Sequence, residues 1–250
     1  MKDALTAIVS GASIVLITCI TIFSYMYFSV EVSELNTHWP KVVLTEDSVD
    51  YVMEAKAPDY WVKLNQISPY TKWAIILSED WGFYQHQGLD FKQLQDAIET
   101  SVKEKRLVRG ASTISQQVVK NVFLSSKRSV IRKFHEMILT RKMEQQVPKQ
   151  RILETYFNIV ELGPKIYGVK NASYHYFKKH PSQLSARESA FIALLLPSPK
   201  KYSESFRRKK LSPFVKRRIR DVLLKLKMAK IITEEERQEA LDTRFEWEVN

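Results

Sequence analysis

Ser185-Ala-Arg-Glu-Ser-Ala-Phe-Ile-Ala-Leu-Leu-Leu-Pro197 is a capping-box opening followed by an almost wholly apolar run. In such a box the Ser185 hydroxyl accepts the N–H of the third helical residue, and Glu188 reaches back to the cap N–H. Pro197 ends the helix because it lacks an N–H and its ring crowds the preceding turn. A helix that is apolar all round, here Ala190 to Leu196, belongs inside a core. The expectation is a helical body wrapped around one buried helix.

Further helix signals lie on both sides of this stretch. Downstream, Ser212-Pro213 opens a helix with Val215, Ile219, Val222 and Leu226 on one face, and Thr233-x-x-Glu236 opens the last one. Upstream, Ser68 is an N-cap with Pro69 at the first helical position, opening a helix through Leu77. Asp90-x-x-Gln93 precedes Phe91, Leu94, Ile98 and Val102, which share a face. Lys149 to Leu162 buries Ile152, Leu153, Tyr156, Phe157 and Val160 and stops at Gly163-Pro164. Between Ser129 and Val147 an apolar stripe of Val130, Ile131, Phe134, Met137 and Ile138 opposes Arg132, Lys133, Glu136 and Thr140. Residues three and four apart share a helix face. Taken alone, Glu136 beside Lys133 and Arg132 therefore reads as a surface ion-pair ladder. No convincing run of alternating strands occurs, so the fold class is mainly α, with room for one short hairpin that the pattern does not place.

The 250 residues are 44% apolar and 11% aromatic, a globular composition with ample material for a core. Six glycines disfavour Gly-rich nucleotide loops. The single cysteine, Cys19, lies in the apolar N-terminal segment, which excludes an intramolecular disulfide and disfavours a thiolate metal site. The net charge is +11, and residues 200–230 hold thirteen Lys/Arg against Glu204 and Asp221, which accounts for all of it. A block of this kind fits anionic lipid headgroups, pyrophosphate or a solvated helix face. It lacks the interleaved aromatics of a nucleic-acid surface, and no recognition motif accompanies it, so no nucleic-acid partner is expected.

From Ala4 to Val30 there is no charged residue. At about 1.5 Å per residue this run can cross a hydrocarbon core of about 30 Å. Tyr25, Tyr27 and Phe28 stand where an aromatic belt would be. No clear cleavage site follows, which favours a retained anchor over a signal peptide. Lys2 precedes the span and Glu31 and Glu34 follow it, favouring a cytoplasmic N-terminus with the domain outside. The expected organisation is a tip at 1–3, an anchor at 4–30, a stalk at 31–57, a catalytic domain at 58–232 and a C-terminal helix and tail at 233–250.

Glu79 and Asp80 follow the apolar run Ala74-Ile-Ile-Leu77. A carboxylate at the end of a buried helix is partly desolvated, which raises its pKa and improves it as a base. His86 is by itself more often a hydrogen-bonded structural histidine, and no second His or Cys is spaced to build a metal site with it. In Gly110-Ala-Ser-Thr-Ile-Ser-Gln-Gln-Val-Val-Lys-Asn121, Ser112 is a candidate cap for a helix whose N–H groups face a phosphate, with Gln116, Gln117, Lys120 and Asn121 recurring along it.

Residues from about 58 to 230 closely resemble the family 51 peptidoglycan glycosyltransferases in their monofunctional biosynthetic form. The blocks that carry the resemblance occur in order: Glu79-Asp-x-x-Phe-x-x-His-x-Gly88, the Gly110–Asn121 stretch, Arg132-Lys-x-x-Glu136, Lys149-x-x-Ile-Leu-Glu-x-Tyr-Phe-Asn158 and Arg187-Glu-Ser-Ala-x-x-Ala-Leu-Leu-Leu-Pro197. The chain departs from many relatives at Trp81-Gly82, where Arg or Gln is common at 81, and at Tyr156-Phe-Asn158, where Tyr-Leu-Asn is commoner.

The resemblance implies a lysozyme-like, mainly helical domain with a small membrane-facing jaw near residues 89–109, and no penicillin-binding transpeptidase domain. It implies polymerisation of lipid II, with a lipid-linked glycan strand on undecaprenyl pyrophosphate as donor and the GlcNAc 4-hydroxyl of lipid II as acceptor. By the same likeness Glu79 is the general base and Glu136 the second catalytic glutamate, placing substrate or a divalent ion near the diphosphate. Lys120, Arg128 and Lys133 match positions that neutralise pyrophosphate, and Asp80, Ser112, Gln117 and Asn121 match substrate-contacting ones. Magnesium or manganese is the one cofactor the likeness brings forward. The implied setting is the bacterial inner membrane, single-pass, with the domain on the periplasmic side, among membrane lipids and beside other cell-wall synthases. Two other readings compete: a glycan-cleaving enzyme of the same fold, which has no use for a phosphate-binding set, and a non-enzymatic membrane-anchored scaffold, for which Glu79 and Glu136 are superfluous.

Overall fold

The computed structural model describes residues 2–46, 48–103, 112–125, 127 and 129–249. The first helix, α1 (Lys2–Phe28), is long and apolar enough to cross a membrane, and its apolar stretch is not buried against the rest of the protein. Its end is tied to α5 (Val130–Gln146). His135 Nε2 lies 2.9 Å from the Met26 carbonyl and 3.1 Å from Ser29 Oγ, and Lys142 Nζ donates to the Val30 carbonyl at 2.7 Å.

Residues 31–57, expected as a stalk, are packed onto the helical body. A short 3-10 turn at Val32–Asn36 buries Val32 and Leu35 completely. Strands β1 (Trp39–Leu44) and β2 (Val49–Glu54) then pair antiparallel from Trp39↔Glu54 to Leu44↔Val49. This hairpin packs against α4 (Ile114–Val122) and α6 (Lys149–Ile159). A second small hairpin, β3 (Glu161–Gly163) and β4 (Ile166–Tyr167), follows α6, so that helix stops three residues short of the Leu162 expected. Where the sequence reading left room for one short hairpin, the described residues hold two.

The helical body is built from α2 (Pro69–Glu79), α3 (Phe91–Lys103), α7 (Val169–Phe177), α8 (Ala186–Leu195), the short α9 (Pro199–Tyr202) and α10 (Glu204–Arg207), α11 (Pro213–Met228) and α12 (Glu234–Asp242). Every residue of α8 is buried, as its sequence requires, and its Ser185/Glu188 capping box is present. Helices α2, α11 and α12 pack around it. The body is mainly helical, as the sequence predicts. Ser68 starts α2, but its hydroxyl donates to the Leu184 carbonyl at 2.9 Å and does not cap the helix.

Helix α5 reverses the expected ladder. Glu136 is 1% exposed and Thr140 fully buried, while Val130, Ile131 and Phe134 are exposed, at 74%, 69% and 59%. Helical periodicity groups residues by face but does not say what each face meets. Here Glu136 and Thr140 pack inward with Leu139 and Met143, and the Val130, Ile131 and Phe134 part of the apolar stripe is left open beside the end of α1.

Candidate active site

Glu79 is the last residue of α2, at the end of a run in which Ala74, Ile75 and Ile76 are fully or almost fully buried. Its Oε2 accepts from Gln117 Nε2 at 3.0 Å. The Gln117 carbonyl oxygen in turn accepts from the Tyr156 hydroxyl at 3.3 Å, and Tyr156 is wholly buried in α6. This chain fixes the amide orientation: Tyr156 can donate only to the oxygen of Gln117, which leaves the NH₂ for Glu79. Burial raises the Glu79 carboxyl above the usual range. The Gln117 hydrogen bond, Lys225 and Lys120 oppose the rise, and the adjacent Asp80 adds to it. Glu79 is half-buried as a whole residue, and its carboxyl is desolvated.

Asp80 is 1% exposed and both its oxygens are used. Oδ1 pairs with His86 Nε2 at 2.8 Å, and Oδ2 accepts the backbone N–H of Ile114 at 2.9 Å. His86 Nδ1 accepts the N–H of Gly88 at 3.1 Å, so the imidazole proton sits on Nε2, toward Asp80. Asp80 therefore ties the end of α2 to the start of α4 and does not face a groove. Asp90 Oδ1 accepts from Gln93 N at 2.9 Å, capping α3. The carboxylates of Asp80 and Asp90 and the ring of His86 lie within 4.8 Å of one another, but each is engaged in these bonds. The cluster is a junction of helix caps.

The cap of α4 is Thr113, not Ser112. Its hydroxyl accepts from Gln116 N at 3.1 Å, and Gln116 completes the box. The Thr113 hydroxyl also donates to the Gly88 carbonyl at 2.6 Å. With the Ile114 N–H held by Asp80, this helix start is closed by protein groups and is not an open anion site.

Ser112 instead meets the second glutamate. Lys133 Nζ donates to Ser112 Oγ at 3.3 Å and pairs with Glu136 Oε1, while Arg132 Nη1 lies 3.5 Å from Glu136 Oε2. Both oxygens of Glu136 thus face cations, and the buried Arg132 Nε has no hydrogen-bond partner. Next to this, Ser115 donates to Glu144, which also accepts from Lys149 Nζ at 2.8 Å. Lys149 stands over the Phe83 ring at 4.3 Å.

A groove of about 820 Å³ opens beside these groups, lined by Lys120, Asn121 and Arg132 on the helices and by Tyr51, Glu161 and Tyr167 on the two hairpins. Lys120 joins the groove to Glu79, on which its charge acts, and Arg132 joins it to Glu136. A smaller cavity of about 180 Å³, between Arg187, Lys216, Arg220 and the C-terminal segment, lies apart from this set.

Of the residues expected at the site, Glu79 with Gln117, and Ser112 with Lys133 and Glu136, are in direct contact. Lys120 and Asn121 share the groove wall, Asp80 is turned into the helix junction, and Arg128 lies outside the described residues. Sequence reasoning treated Tyr156 as core alone and did not single out Lys225. Their partners are 39 and 148 residues away in the chain, and no local spacing reports such pairs. Arg132 was legible as a neighbour of Glu136, but its place in the groove was not.

A desolvated carboxylate beside a cation-lined groove, on a helical body with a membrane-length helix, is the layout of an enzyme that moves a proton next to an anionic substrate. The chain belongs to the Transglycosylase family, whose model matches residues 47–227. It is similar to the biosynthetic peptidoglycan transglycosylase of Nitrosomonas eutropha, 40% identical over 177 residues that cover 71% of each chain. The protein of the same name from Acinetobacter baylyi is 43% identical over 159 residues, 63% of this chain and 71% of that one. That of Nitrosospira multiformis is 39% identical over 171 residues, 68% and 73%.

Proposed function

We propose that this peptidoglycan glycosyltransferase polymerises glycan strands from lipid II, with Glu79 as the general base. The observation that carries the reading is the Tyr156–Gln117–Glu79 chain, which aims a desolvated carboxyl beside the groove that Lys120 lines. Glu79 takes the proton of the GlcNAc 4-hydroxyl as that oxygen attacks the anomeric carbon of the lipid-linked strand. The bond from the anomeric carbon to the pyrophosphate oxygen breaks, the configuration inverts, and undecaprenyl pyrophosphate leaves with the bonding pair. Developing phosphate charge needs cations already in position. Lys120, Lys133 and Arg132 supply them, with Arg128 as a further candidate and Ser112 and Asn121 as polar contacts. Glu136 sets the positions of Lys133 and Arg132. Because those cations face both Glu136 oxygens, this carboxylate does not offer an open metal ligand in this arrangement.

The reading places the enzyme in the inner membrane, single-pass, with the body on the periplasmic side. The apolar α1 supports it, as do the acidic residues that follow the span and the exposed Val130, Ile131 and Phe134 beside its end. The test is incubation of the full chain in detergent with labelled lipid II, followed by separation of polymer, released disaccharide and unreacted lipid. Wild type should give polymer, and Glu79→Gln should lose about 10²–10⁴-fold in rate. Disaccharide as the main product would identify a glycan-cleaving enzyme, and no turnover by wild type would favour the scaffold.

A further inference from the structure

The last turn of α2 holds Glu79 and also carbonyl groups that the helix itself cannot satisfy. The Ile76 carbonyl accepts from the Asp80 N–H at 2.8 Å. The next one, Leu77, accepts from Lys225 Nζ at 2.9 Å. Lys225 comes from α11, which packs on α2 and buries Ile219, Val222, Leu223 and Leu226. Its stem leaves this apolar seam and its amine reaches the open end of α2. Other basic residues of α11 pair with carboxylates, Arg218 with Asp221 and Lys227 with Glu234.

We propose that Lys225 is a positioning residue for the base: it clamps the last turn of α2 and supplies the positive field behind Glu79. The proposal rests on the reading of Glu79 as the base. A cation at a helix C-terminus is favourable in its own right, since the aligned peptide dipoles end there. Here the same cation lies close enough to the Glu79 carboxyl for each to favour the other's charged form.

The charged groups acting on Glu79 come from each side. Asp80 on its own chain opposes ionisation, while Lys120 from α4 and Lys225 from α11 favour it. From α6 comes Tyr156, whose hydroxyl burial keeps protonated. The ionisable residues of α8 are turned elsewhere, Arg187 to the Ala240 and Leu241 carbonyls and Glu188 to Lys179. Lys120 lines the groove, where a bound pyrophosphate would draw on its charge. Lys225 is held at the Leu77 carbonyl and does not line the groove, so it stays available to the base when substrate fills it. A desolvated base that must be ionised before each transfer needs such a cation.

The experiment is the pH dependence of kcat/KM for lipid II polymerisation by the full chain in detergent, for wild type, Lys225→Met and Lys225→Arg, with Glu79→Gln as control. In Lys225→Met the acid limb should move to higher pH by roughly half a unit, a roughly threefold rate loss on that limb, as for one partly exposed charge pair. Lys225→Arg keeps both charge and donor and should restore the limb. A packing role alone would lower the rate equally at every pH, so a Lys225→Met limb that overlays wild type overturns the proposal. If Glu79→Gln is inactive in that case, the base assignment stands and only the role of Lys225 falls. If Glu79→Gln retains activity, both fall.

Discussion

Asp80→Asn is expected to cost the fold about 2–4 kcal/mol, although the side chain keeps its size and one oxygen. The carboxylate accepts two hydrogen bonds, from His86 Nε2 and from the Ile114 N–H, in a site 1% exposed. An amide can accept one of them and must turn its NH₂ toward the other donor. If the NH₂ faces His86, the ring must move its proton to Nδ1, which then opposes the Gly88 N–H. If it faces Ile114, two N–H groups meet head-on. Either way a buried donor loses its acceptor, at about 1–3 kcal/mol, and the surviving bond loses its charge assistance, about 1 kcal/mol more. For a body of this size each kcal/mol moves Tm by about 2–4 °C, so the fall should be roughly 5–15 °C. The assay is thermal unfolding of the full chain in detergent, paired with polymerisation at a temperature where the variant is folded. A Tm within a degree of wild type, together with a raised KM for lipid II, would refute the reasoning. It would mean that the Asp80 carboxylate faces substrate, as the family likeness implies, and does not hold α4.

Gly88→Ala should destabilise by about 3 kcal/mol, combining a left-handed φ of +88° with a Cβ 2.7 Å from Thr140 Cγ2 and 2.8 Å from Glu144 Cγ. Adding Thr140→Ser should recover part of the loss in a double-mutant melt, and additive losses would count against the contact. Glu79→Gln should be more stable than wild type at pH 7 to 8 and equal to it near pH 4, read as Tm against pH. The sign follows from linkage: the folded carboxyl is raised above its unfolded value, so the folded state holds the extra proton between them and wild type loses stability as pH rises through that window. A Tm difference independent of pH would show that the Glu79 carboxyl is not desolvated.

The helix starts were legible because each is written in a few adjacent residues: Ser185 with Glu188, Thr233 with Glu236, Ser212 capping Val215, and Asp90 capping Gln93. The core position of α8 was legible because no other place suits a helix without a polar face. Most of what failed depends on the other side of a contact. Ser112 and Thr113 are both cap residues by type, but only Thr113 has a Gln three residues on to close a capping box, a local signal the reading passed over, and the Gly88 carbonyl then holds the Thr113 hydroxyl. Asp80 has the chemistry of a substrate ligand, but the Ile114 N–H, 34 residues on, claims it first. The Glu79–Gln117 contact could be anticipated only through the family likeness, since nothing in either segment's spacing refers to the other.

Helix α5 shows why its polarity could not be read and why it is reversed. Its inward face carries Leu139 and Met143 together with Glu136 and Thr140, and the two polar groups are paired, so their burial is compensated: Glu136 by Lys133 and Arg132, Thr140 by the Glu136 carbonyl. Its outward face carries Val130, Ile131 and Phe134, which in water would be an uncovered apolar patch. The exception is a helix whose outer side meets hydrocarbon, and α5 is bonded through His135 to the end of the one described helix able to span a membrane. On the proposed function the two faces have one purpose. The apolar face sets the depth of the body at the bilayer surface. The Glu136 cluster, on the same rigid helix, is thereby held at the height where a pyrophosphate with its tail in the membrane must lie. A soluble enzyme would have the stripe turned inward, and its cations would then point away from the groove.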